Sequence, residues 1–278
     1  MYAHDVKLFS CIESQTDSEL LQSDLDALVS WSEENGLRLN INKCNVISFH
    51  SGSQPFSFGY DIGGRALDRV DVAKGLGVFF DTTLTFGPHI DYVTSKASRQ
   101  IDFIKQTTSD CKHHGTIAYL YRSLVLPILL YCSPIWSPFA KIASDRLESV
   151  QHLIIRYLAF KCNRTMSRFE HDYTDLAQFF NLPTIMSLHH YHDCLLSFKV
   201  LHDFVTCDAI KLKFRNRELV YSLRYHRPLC EESSSSNFGF FSTVNKLGRS
   251  WNVLPLSLTE VFVLSGFKSR LNNFVFSF

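Results

Sequence analysis

Short stretches in which apolar and polar residues alternate fill much of the first 81 residues. A period of two is typical of half-buried β-strands. The predicted strand segments are a hairpin over 1–12 and strands over 37–41, 46–49, 60–67 and 76–81. The half-buried arm of the first hairpin comprises Lys7, Leu8, Phe9 and Ile12. Gly63-Gly64 predicts a tight turn within the 60–67 segment.

One amphipathic helix is predicted between the first hairpin and the next strand. Thr16 and Glu19 have the spacing of a capping box, which marks a helix N-terminus. The residues that recur at helical spacing and should pack on a sheet are Leu21, Leu25, Leu28 and Ser32. Asn35-Gly36 predicts the end of this helix, because glycine can adopt the left-handed conformation there.

After residue 81 the apolar period changes to 3.6, which is typical of helices. The predicted helices span about 88–106, about 115 to the break at 134–138, about 142–160, much of 172–206, and about 267–276, with a strand-to-turn anchor at 248–255. The inward stripes are Ile90, Val93, Ala97, Ile101 and Ile104, then Ile117, Leu120, Tyr121, Leu124 and Ile128, then Leu147, Val150, Ile154 and Leu158. Pro127 should kink the second helix, and Pro183 should begin a long one. A small sheet followed by consecutive helices predicts an α+β fold.

Composition limits the function classes. The chain has 278 residues, of which 45% are hydrophobic and 20% charged, so it can form one large or two modest cores. The net charge of +1 means that any nucleic-acid contact depends on a local basic patch. Eight cysteines occur without any Cys-x-x-Cys pair, which disfavours a zinc ribbon and favours reduced thiols in an intracellular protein. No apolar run reaches the ~18 residues expected of a membrane span.

A basic stretch at 211–227 is a candidate nucleic-acid contact. Its cations are Lys211, Lys213, Arg215, Arg217, Arg224 and Arg227. Tyr221 and Tyr225 lie between them, and cations interleaved with aromatic rings suit a phosphate backbone with stacked bases. The alternative interpretation is a solvated loop around a core strand.

Lys43 and four histidines are further candidates for chemistry. Lys43 is either a solvated lysine at the end of a strand or a cation that contacts a triphosphate and acts as a general acid. The histidines are His189, His190, His192 and His202. They form no Glu-x-x-His or His-x-x-x-His pair with a third ligand, so packing within or at the edge of the core is favoured over a metal site.

Residues 2–5, Tyr2-Ala3-His4-Asp5, resemble the Tyr-Ala-Asp-Asp turn of a reverse transcriptase, with histidine in place of the first aspartate. Further segments match in the same order along the chain. They are Leu21-Gln22, Asp24-Leu25, Trp31, Leu39-Asn40, Lys43-Cys44, Leu76-Gly77-Val78, Asp81, His89-Ile90, Leu126-Pro127, Tyr131, Trp136, Leu147-Glu148, Gln151, Trp251-Asn252, Leu254-Pro255 and Phe267-Lys268. The ordered set resembles the C-terminal half of reverse transcriptases from non-LTR retrotransposons, particularly the jockey-like elements of arthropods, most strongly over about 1–160.

The resemblance implies a small antiparallel remnant of the palm sheet with its helix at 1–81, a thumb-like helical bundle at 82–165, and a mixed, mostly helical C-terminal region of the polymerase protein at 166–278. The implied activity is RNA-directed DNA synthesis, a nucleotidyl transfer that uses Mg²⁺, an RNA template and a DNA primer or target. Asp5 matches the second catalytic aspartate and a metal ligand. His4 occupies the position of the first aspartate, and Lys43 matches the lysine that follows the palm strands.

Three departures from the family predict that the chain does not polymerise DNA by itself. His4 is a softer ligand that is mostly neutral at pH 7, whereas Mg²⁺ prefers hard oxygen donors. The strand with the third carboxylate and the fingers are expected to be missing, as is the endonuclease. The alternative function is a non-catalytic module that binds nucleic acid. A third possibility is an enzyme that another chain completes.

Overall fold

The computed structural model describes residues 6–37, 39–50, 56–164, 173–211, 214, 229, 237–240 and 242–276. The chain divides into two compact units, Met1–Pro88 and His89–Phe278. No helix among the described residues is long and apolar enough to cross a membrane. The architecture is mixed, with one largely helical unit and one unit that contains small two-stranded sheets, which confirms the α+β class.

The first unit contains one long helix and six short strands. These elements are α1 (Gln15–Glu34), a 3₁₀ helix (Ile41–Lys43), β1 (Asn45–Val46), β2 (Asp61–Ile62), β3 (Arg65–Ala66), β4 (Asp68–Arg69), β5 (Val72–Gly75) and β6 (Val78–Asp81). The pairs β2–β3 and β5–β6 are antiparallel. The pair β1–β4 is parallel, so the predicted antiparallel pairing holds for two of the three described strand pairs and fails for this one.

On helix α1 the predicted face is half-buried at its leucines and buried at Ser32, and the helix begins earlier than its predicted cap. Ser14 is the N-cap: its hydroxyl accepts a hydrogen bond from the Asp17 backbone N–H, and the Asp17 carboxylate accepts one from the Ser14 N–H at 2.8 Å. Ser14 and Asp17 therefore form the capping box that was assigned to Thr16 and Glu19. The Gln22 side-chain amide binds both backbone groups of Asp61, at 2.9 and 3.0 Å, and so fixes α1 against β2.

Several predicted strands are shorter than expected, or are not strands. Residues 6–12 form no strand, and Phe9 is 92% exposed. The 46–49 strand is reduced to β1, and the 37–41 segment leads into the 3₁₀ helix. Alternation marks which residues could face a core, but a strand also needs a partner for its backbone groups. The hairpin turn at Gly63-Gly64 is confirmed, with φ angles of +58° and +79°.

The predicted strand at 76–81 begins two residues late, because Leu76 and Gly77 form the turn between β5 and β6 with φ angles of 49° and 86°. Asp81, the last residue of β6, then organises the next turn. Its carboxylate accepts hydrogen bonds from the backbone N–H groups of Thr85 (3.0 Å) and Phe86 (2.7 Å). Burial raises the pKa of the Asp81 carboxyl, but hydrogen bonds from Thr83, Thr85 and Phe86 outweigh burial and hold this pKa below its usual value.

In the described residues of the second unit, the regular secondary structure is helical, apart from a single bridge residue at Leu229. Its helices are α2 (Gly87–Thr107, which starts at the end of the first unit), α3 (His114–Leu124), α4 (Leu126–Leu130), α5 (Ser133–Trp136), α6 (Lys141–Lys161), α7 (Thr174–Phe179), α8 (Ile185–Leu201), α9 (Asp208–Lys211), α10 (Asn237–Phe240), α11 (Thr243–Asn252), α12 (Leu256–Thr259) and α13 (Leu264–Val275). The predicted inward stripes of α2 and α6 are buried.

The helical path is interrupted near Pro127, close to the predicted kink. Helix α3 ends at Leu124, and α4 begins at Leu126 with proline in its first turn, where the missing N–H is no loss. Val125, between them, keeps the αR conformation and donates to the Tyr121 carbonyl. The predicted inward positions Leu124 and Ile128 are wrong, because the fully buried row continues from Tyr121 through Val125 to Leu129.

The predicted strand-to-turn anchor at 248–255 is also wrong. Leu247 and Trp251 are buried one helical turn apart, and most of the segment forms the end of α11.

Helix α8 begins against two polar side chains of α6. The Glu148 carboxylate accepts a hydrogen bond from the Met186 N–H at 3.0 Å. The Gln151 amide donates to the Pro183 carbonyl at 2.9 Å and accepts from the Tyr121 hydroxyl at 2.9 Å. Burial raises the pKa of Glu148, and its backbone hydrogen bonds oppose that shift. These contacts fix the position of α8 relative to α3 and α6.

The other end of α8 lies in an aromatic core that the C-terminal helices complete. The rings of Phe198 and Phe267 stack with centroids 4.1 Å apart, and Trp251 packs against both. Asp193 and Lys246 form a buried ion pair at 3.3 Å between α8 and α11, with side chains 6% and 18% exposed. Burial raises the pKa of Asp193 to about 6 and lowers that of Lys246, while the attraction between them opposes both shifts.

Lys246→Met should destabilise the second unit strongly, because it leaves the Asp193 carboxylate buried without its cation. We expect a loss of about 3–5 kcal/mol in the free energy of unfolding, measured by urea denaturation. Asp193→Leu combined with Lys246→Met should restore at least most of the loss, because an apolar pair needs no desolvated charge. Lys141→Met, at an exposed lysine, is the control and should change stability by less than about 0.5 kcal/mol. A double variant that loses the sum of the two single effects would contradict this account.

Candidate nucleic-acid interface

The residues of the Tyr2-Ala3-His4-Asp5 turn lie outside the described part of the chain. The assignment of Asp5 as a metal ligand therefore stays a prediction. So does the assignment of His4 to the position of the first catalytic aspartate. Lys43 is described: it ends the 3₁₀ helix, and its side chain is exposed and forms no ion pair with any described residue. Its role near a triphosphate also stays a prediction.

The basic stretch at 211–227 is described only in small part. Lys211 ends α9 and forms an ion pair with Asp203, so its charge is locally offset. The remaining candidates, Lys213, Arg215, Arg217, Arg224 and Arg227, lie outside the described residues. The predicted cluster of six cations therefore stays a prediction, with only Lys211 among the described residues.

The buried Trp136 ring lies between two histidines of the second unit. The centroid of His89 is 4.8 Å from that of Trp136, and the centroid of His189 is 5.1 Å away, both edge-to-face. The Trp136 indole N–H donates to the Tyr131 carbonyl at 2.7 Å. Burial lowers the pKa of both His89 and His189 to about 4. Both histidines are therefore neutral at pH 7 and act as packing groups.

The histidines of α8 are held by hydrogen bonds within the core. His189 is fully buried, and its ring nitrogens lie 2.9 Å from the Leu129 carbonyl and 3.0 Å from the Ser137 hydroxyl. His192 lies 3.3 Å from the Ser133 hydroxyl. Among the described residues, no group of three or more His, Cys, Asp or Glu side chains could hold a metal ion. The predicted Mg²⁺ ligand Asp5 lies outside the described residues.

Helix α2 presents cations and aromatic rings on its outer face, which sequence reasoning missed. Lys96 and Arg99 are exposed, Phe103 is 54% exposed, and the Lys96 ammonium lies 5.8 Å from the Tyr92 ring centroid. These cations and rings are three or four residues apart in the sequence, and this spacing could have predicted that they share one face of the helix.

Two carboxylates also lie on α2, but each is paired with another cation. Asp91 pairs with Arg146, and Asp102 pairs with Lys105 at 3.5 Å. Lys96 and Arg99 form no ion pair within the described part of the chain. This face is therefore locally basic although the whole chain carries a net charge of only +1.

Comparison with known proteins shows which class of protein the chain is similar to. The chain is similar to RNA-directed DNA polymerases of mobile elements. It is 29% identical over 163 residues to the probable RNA-directed DNA polymerase from transposon BS of Drosophila melanogaster, covering 56% of this chain and 18% of the relative. It is 28% identical over 148 residues to the RNA-directed DNA polymerase from mobile element jockey of the same species, covering 50% and 15%.

The jockey polymerase of Drosophila funebris is 24% identical over 164 residues, which cover 57% of this chain and 18% of the relative. These similarities confirm the predicted resemblance to non-LTR reverse transcriptases of the jockey kind. The matched part makes up less than a fifth of each of these relatives. No protein-family model matches the chain, and no solved structure does.

Many of the residues that carry the resemblance have packing roles in this structure. Asp81 binds the turn before α2, and Gln151 binds the chain before α8. Trp136, Trp251 and Phe267 are buried ring residues. These residues therefore stabilise the fold in this structure.

Acid should destabilise the second unit between about pH 6.5 and pH 4. Unfolded histidine has a pKa near 6.5, whereas His89 and His189 have folded-state pKa values of about 4. At these two histidines the unfolded chain thus binds more protons in this window, so their contribution to stability falls as pH decreases through it. The raised pKa of Asp193 acts in the opposite direction below about pH 6. Each pKa unit corresponds to about 1.4 kcal/mol, which sets an upper bound of about 3.5 kcal/mol for each histidine.

His89→Phe should flatten this pH profile, because it removes one of the two rings whose pKa values are lowered to about 4 and keeps an aromatic group against Trp136. The measurement is the free energy of unfolding by urea from pH 4 to pH 8. The same exchange at the exposed His114 is the control and should leave the profile unchanged. An unaltered slope in His89→Phe would show that the acid sensitivity arises elsewhere.

Proposed function

We propose that this chain is a nucleic-acid-binding part of a reverse-transcriptase-like protein, and that it does not synthesise DNA by itself. The observation that carries the proposal is its similarity to RNA-directed DNA polymerases of jockey and BS over about half of the chain. Proteins of that class act on nucleic acid with divalent metal ions. In this proposal the first unit is the end of a palm, the helices over 82–165 are a thumb, and the remainder is the C-terminal region.

The sequence of the 2–5 turn supports the lack of independent activity. Polymerase chemistry places metal ions between carboxylates, which activate the primer hydroxyl and neutralise the triphosphate. Here Asp5 has His4 as its neighbour instead of a second aspartate. A missing anionic ligand weakens stabilisation of the transition state, and each 1.4 kcal/mol lost slows the reaction about tenfold.

The outer face of α2 supports duplex binding. Lys96 and Arg99 can contact phosphates, and Phe103 can pack against the sugar or base surface beside them. Because each phosphate contact releases a counterion, such binding weakens as the salt concentration rises. The basic stretch at 211–227 would add to the same electrostatic attraction.

The purified chain should not extend a DNA primer on an RNA template in the presence of Mg²⁺, above a control without protein. A complementing chain that supplies fingers and the other carboxylate strand, together with His4→Asp, is the arrangement in which we expect extension. Primer extension by the chain alone that requires Mg²⁺ and is abolished by Asp5→Asn would overturn the proposal of inactivity. If His4→Asp makes no difference in the reconstituted enzyme, our interpretation of the turn is wrong.

Lys96→Gln combined with Arg99→Gln should weaken binding to a blunt 20-base-pair duplex, measured by fluorescence anisotropy from 50 to 200 mM salt. The log–log salt slope should become shallower by about one to two, since each lost phosphate contact contributes roughly 0.9. Lys268→Gln combined with Arg270→Gln removes the same charge from α13 and is the matched control. A salt slope near zero in the unmodified chain, or equal effects of both double variants, would refute binding through α2.

A further inference from the structure

A second exposed group of rings lies where α3, the end of α6 and α7 meet. Phe179, the last residue of α7, is 48% exposed. The guanidinium carbon of Arg164 lies 3.7 Å from the centroid of its ring, which is close enough for the two planar groups to stack. The His114 ring lies 6.3 Å from the Phe179 ring at an interplanar angle of 33°. We call His113, His114, Arg164 and Phe179 the Phe179 platform.

Groups that have their own contacts in the core and at a helix cap support the platform. Phe180, the next residue, is buried, and its ring lies 6.1 Å from His114. Arg122 of α3 donates hydrogen bonds to the Phe180 and Asn181 carbonyls, both at 2.9 Å. His113 is the N-cap of α3 and accepts a hydrogen bond from the Thr116 N–H, while its ring lies nearly parallel to that of His114, at 12°.

Cations lie around the platform in the described part of the chain. The Arg164 guanidinium stacks on Phe179 and forms no hydrogen bond or ion pair with any residue in the described ranges, so its side-chain N–H groups can bind a ligand. Lys112 is exposed next to His113, and Lys161, three residues before Arg164, donates to the Ser109 carbonyl. Among the described residues of these segments, Lys112, Lys161 and Arg164 accompany two exposed carboxylates, Asp110 and Asp175.

We propose that the Phe179 platform binds single-stranded nucleic acid. Bases stack on the exposed rings of His114 and Phe179, and Arg164 and Lys112 contact the adjacent phosphates. Stacking on aromatic side chains beside a positive track is how sequence-tolerant single-strand binding works, because every base has a π-face. An acidic peptide could form ion pairs with the cations but would offer no planar group to stack on the rings of His114 and Phe179. This inference rests on the proposed function and adds to it a surface separate from the duplex-binding face of α2.

The test is anisotropy of labelled (dT)20 and (U)20 with the full chain and its variants. Phe179→Ala should weaken binding of both strands about five- to a hundredfold, as expected for loss of one stacked base, without changing the salt slope, because no charge is removed. Arg164→Gln should weaken binding and reduce the salt slope by about 0.7. Arg164→Lys should keep the salt slope but weaken the affinity, because it keeps the positive charge and loses the planar guanidinium that stacks on the ring. Phe262→Ala, at a phenylalanine that is 74% exposed, is the matched control and should bind like the unmodified chain.

The outcomes separate this inference from the proposed function. Single-strand affinity that is unchanged in Phe179→Ala and Arg164→Gln, with duplex binding intact, refutes the platform alone. Absence of binding to both duplex and single strands refutes the proposed function as well. If poly-glutamate competes as well as (dT)20, the surface is a general polyanion site and the stacking account is wrong. Should Phe179→Ala fail to fold, the two Arg164 variants decide.

Discussion

The second unit depends on how the chain satisfies the start of α8. The first N–H groups of a helix have no partner within it, and leaving them buried without one is costly. Here Glu148 of α6 binds the Met186 N–H, and Gln151 binds the preceding Pro183 carbonyl. Once its first turn is fixed in this way, α8 can contact α4, α5 and α6 along its first part and α11 and α13 along its second. A helix with so many neighbours has little room for a continuous polar face.

The strongest local patterns were the most predictable from the sequence. The apolar stripes of α2 and α6 keep the helical period over about three to four turns, so the sequence predicted both the helices and their buried residues. The strands of the first unit were predicted less well, because a few alternating residues do not specify a partner strand. The end of α11 was predicted as a strand because a proline such as Pro255 can follow the end of either a strand or a helix. Helix caps differ by a residue or two because Ser14 and Thr16 both start a valid capping pattern.

The candidate sites could be predicted only where their residues are close in the sequence. The 2–5 turn and the 211–227 stretch are local motifs. The face of α2 is also local, but its cations are separated by ordinary helical spacing and do not form a run. The Phe179 platform brings together residues from three segments, near 114, 164 and 179, which only folding places in contact. Similarly, the two histidines on either side of Trp136 are 100 residues apart in numbering.

The buried pair of Asp193 and Lys246 also restricts how this sequence can change over generations. A single substitution at either position leaves an unmatched charge in the interior, so the neutral route to an apolar pair requires two changes with an unfavourable intermediate. A related chain under selection for folding therefore keeps both residues or replaces both. Related chains that retain only one of the two are candidates for chains that no longer fold.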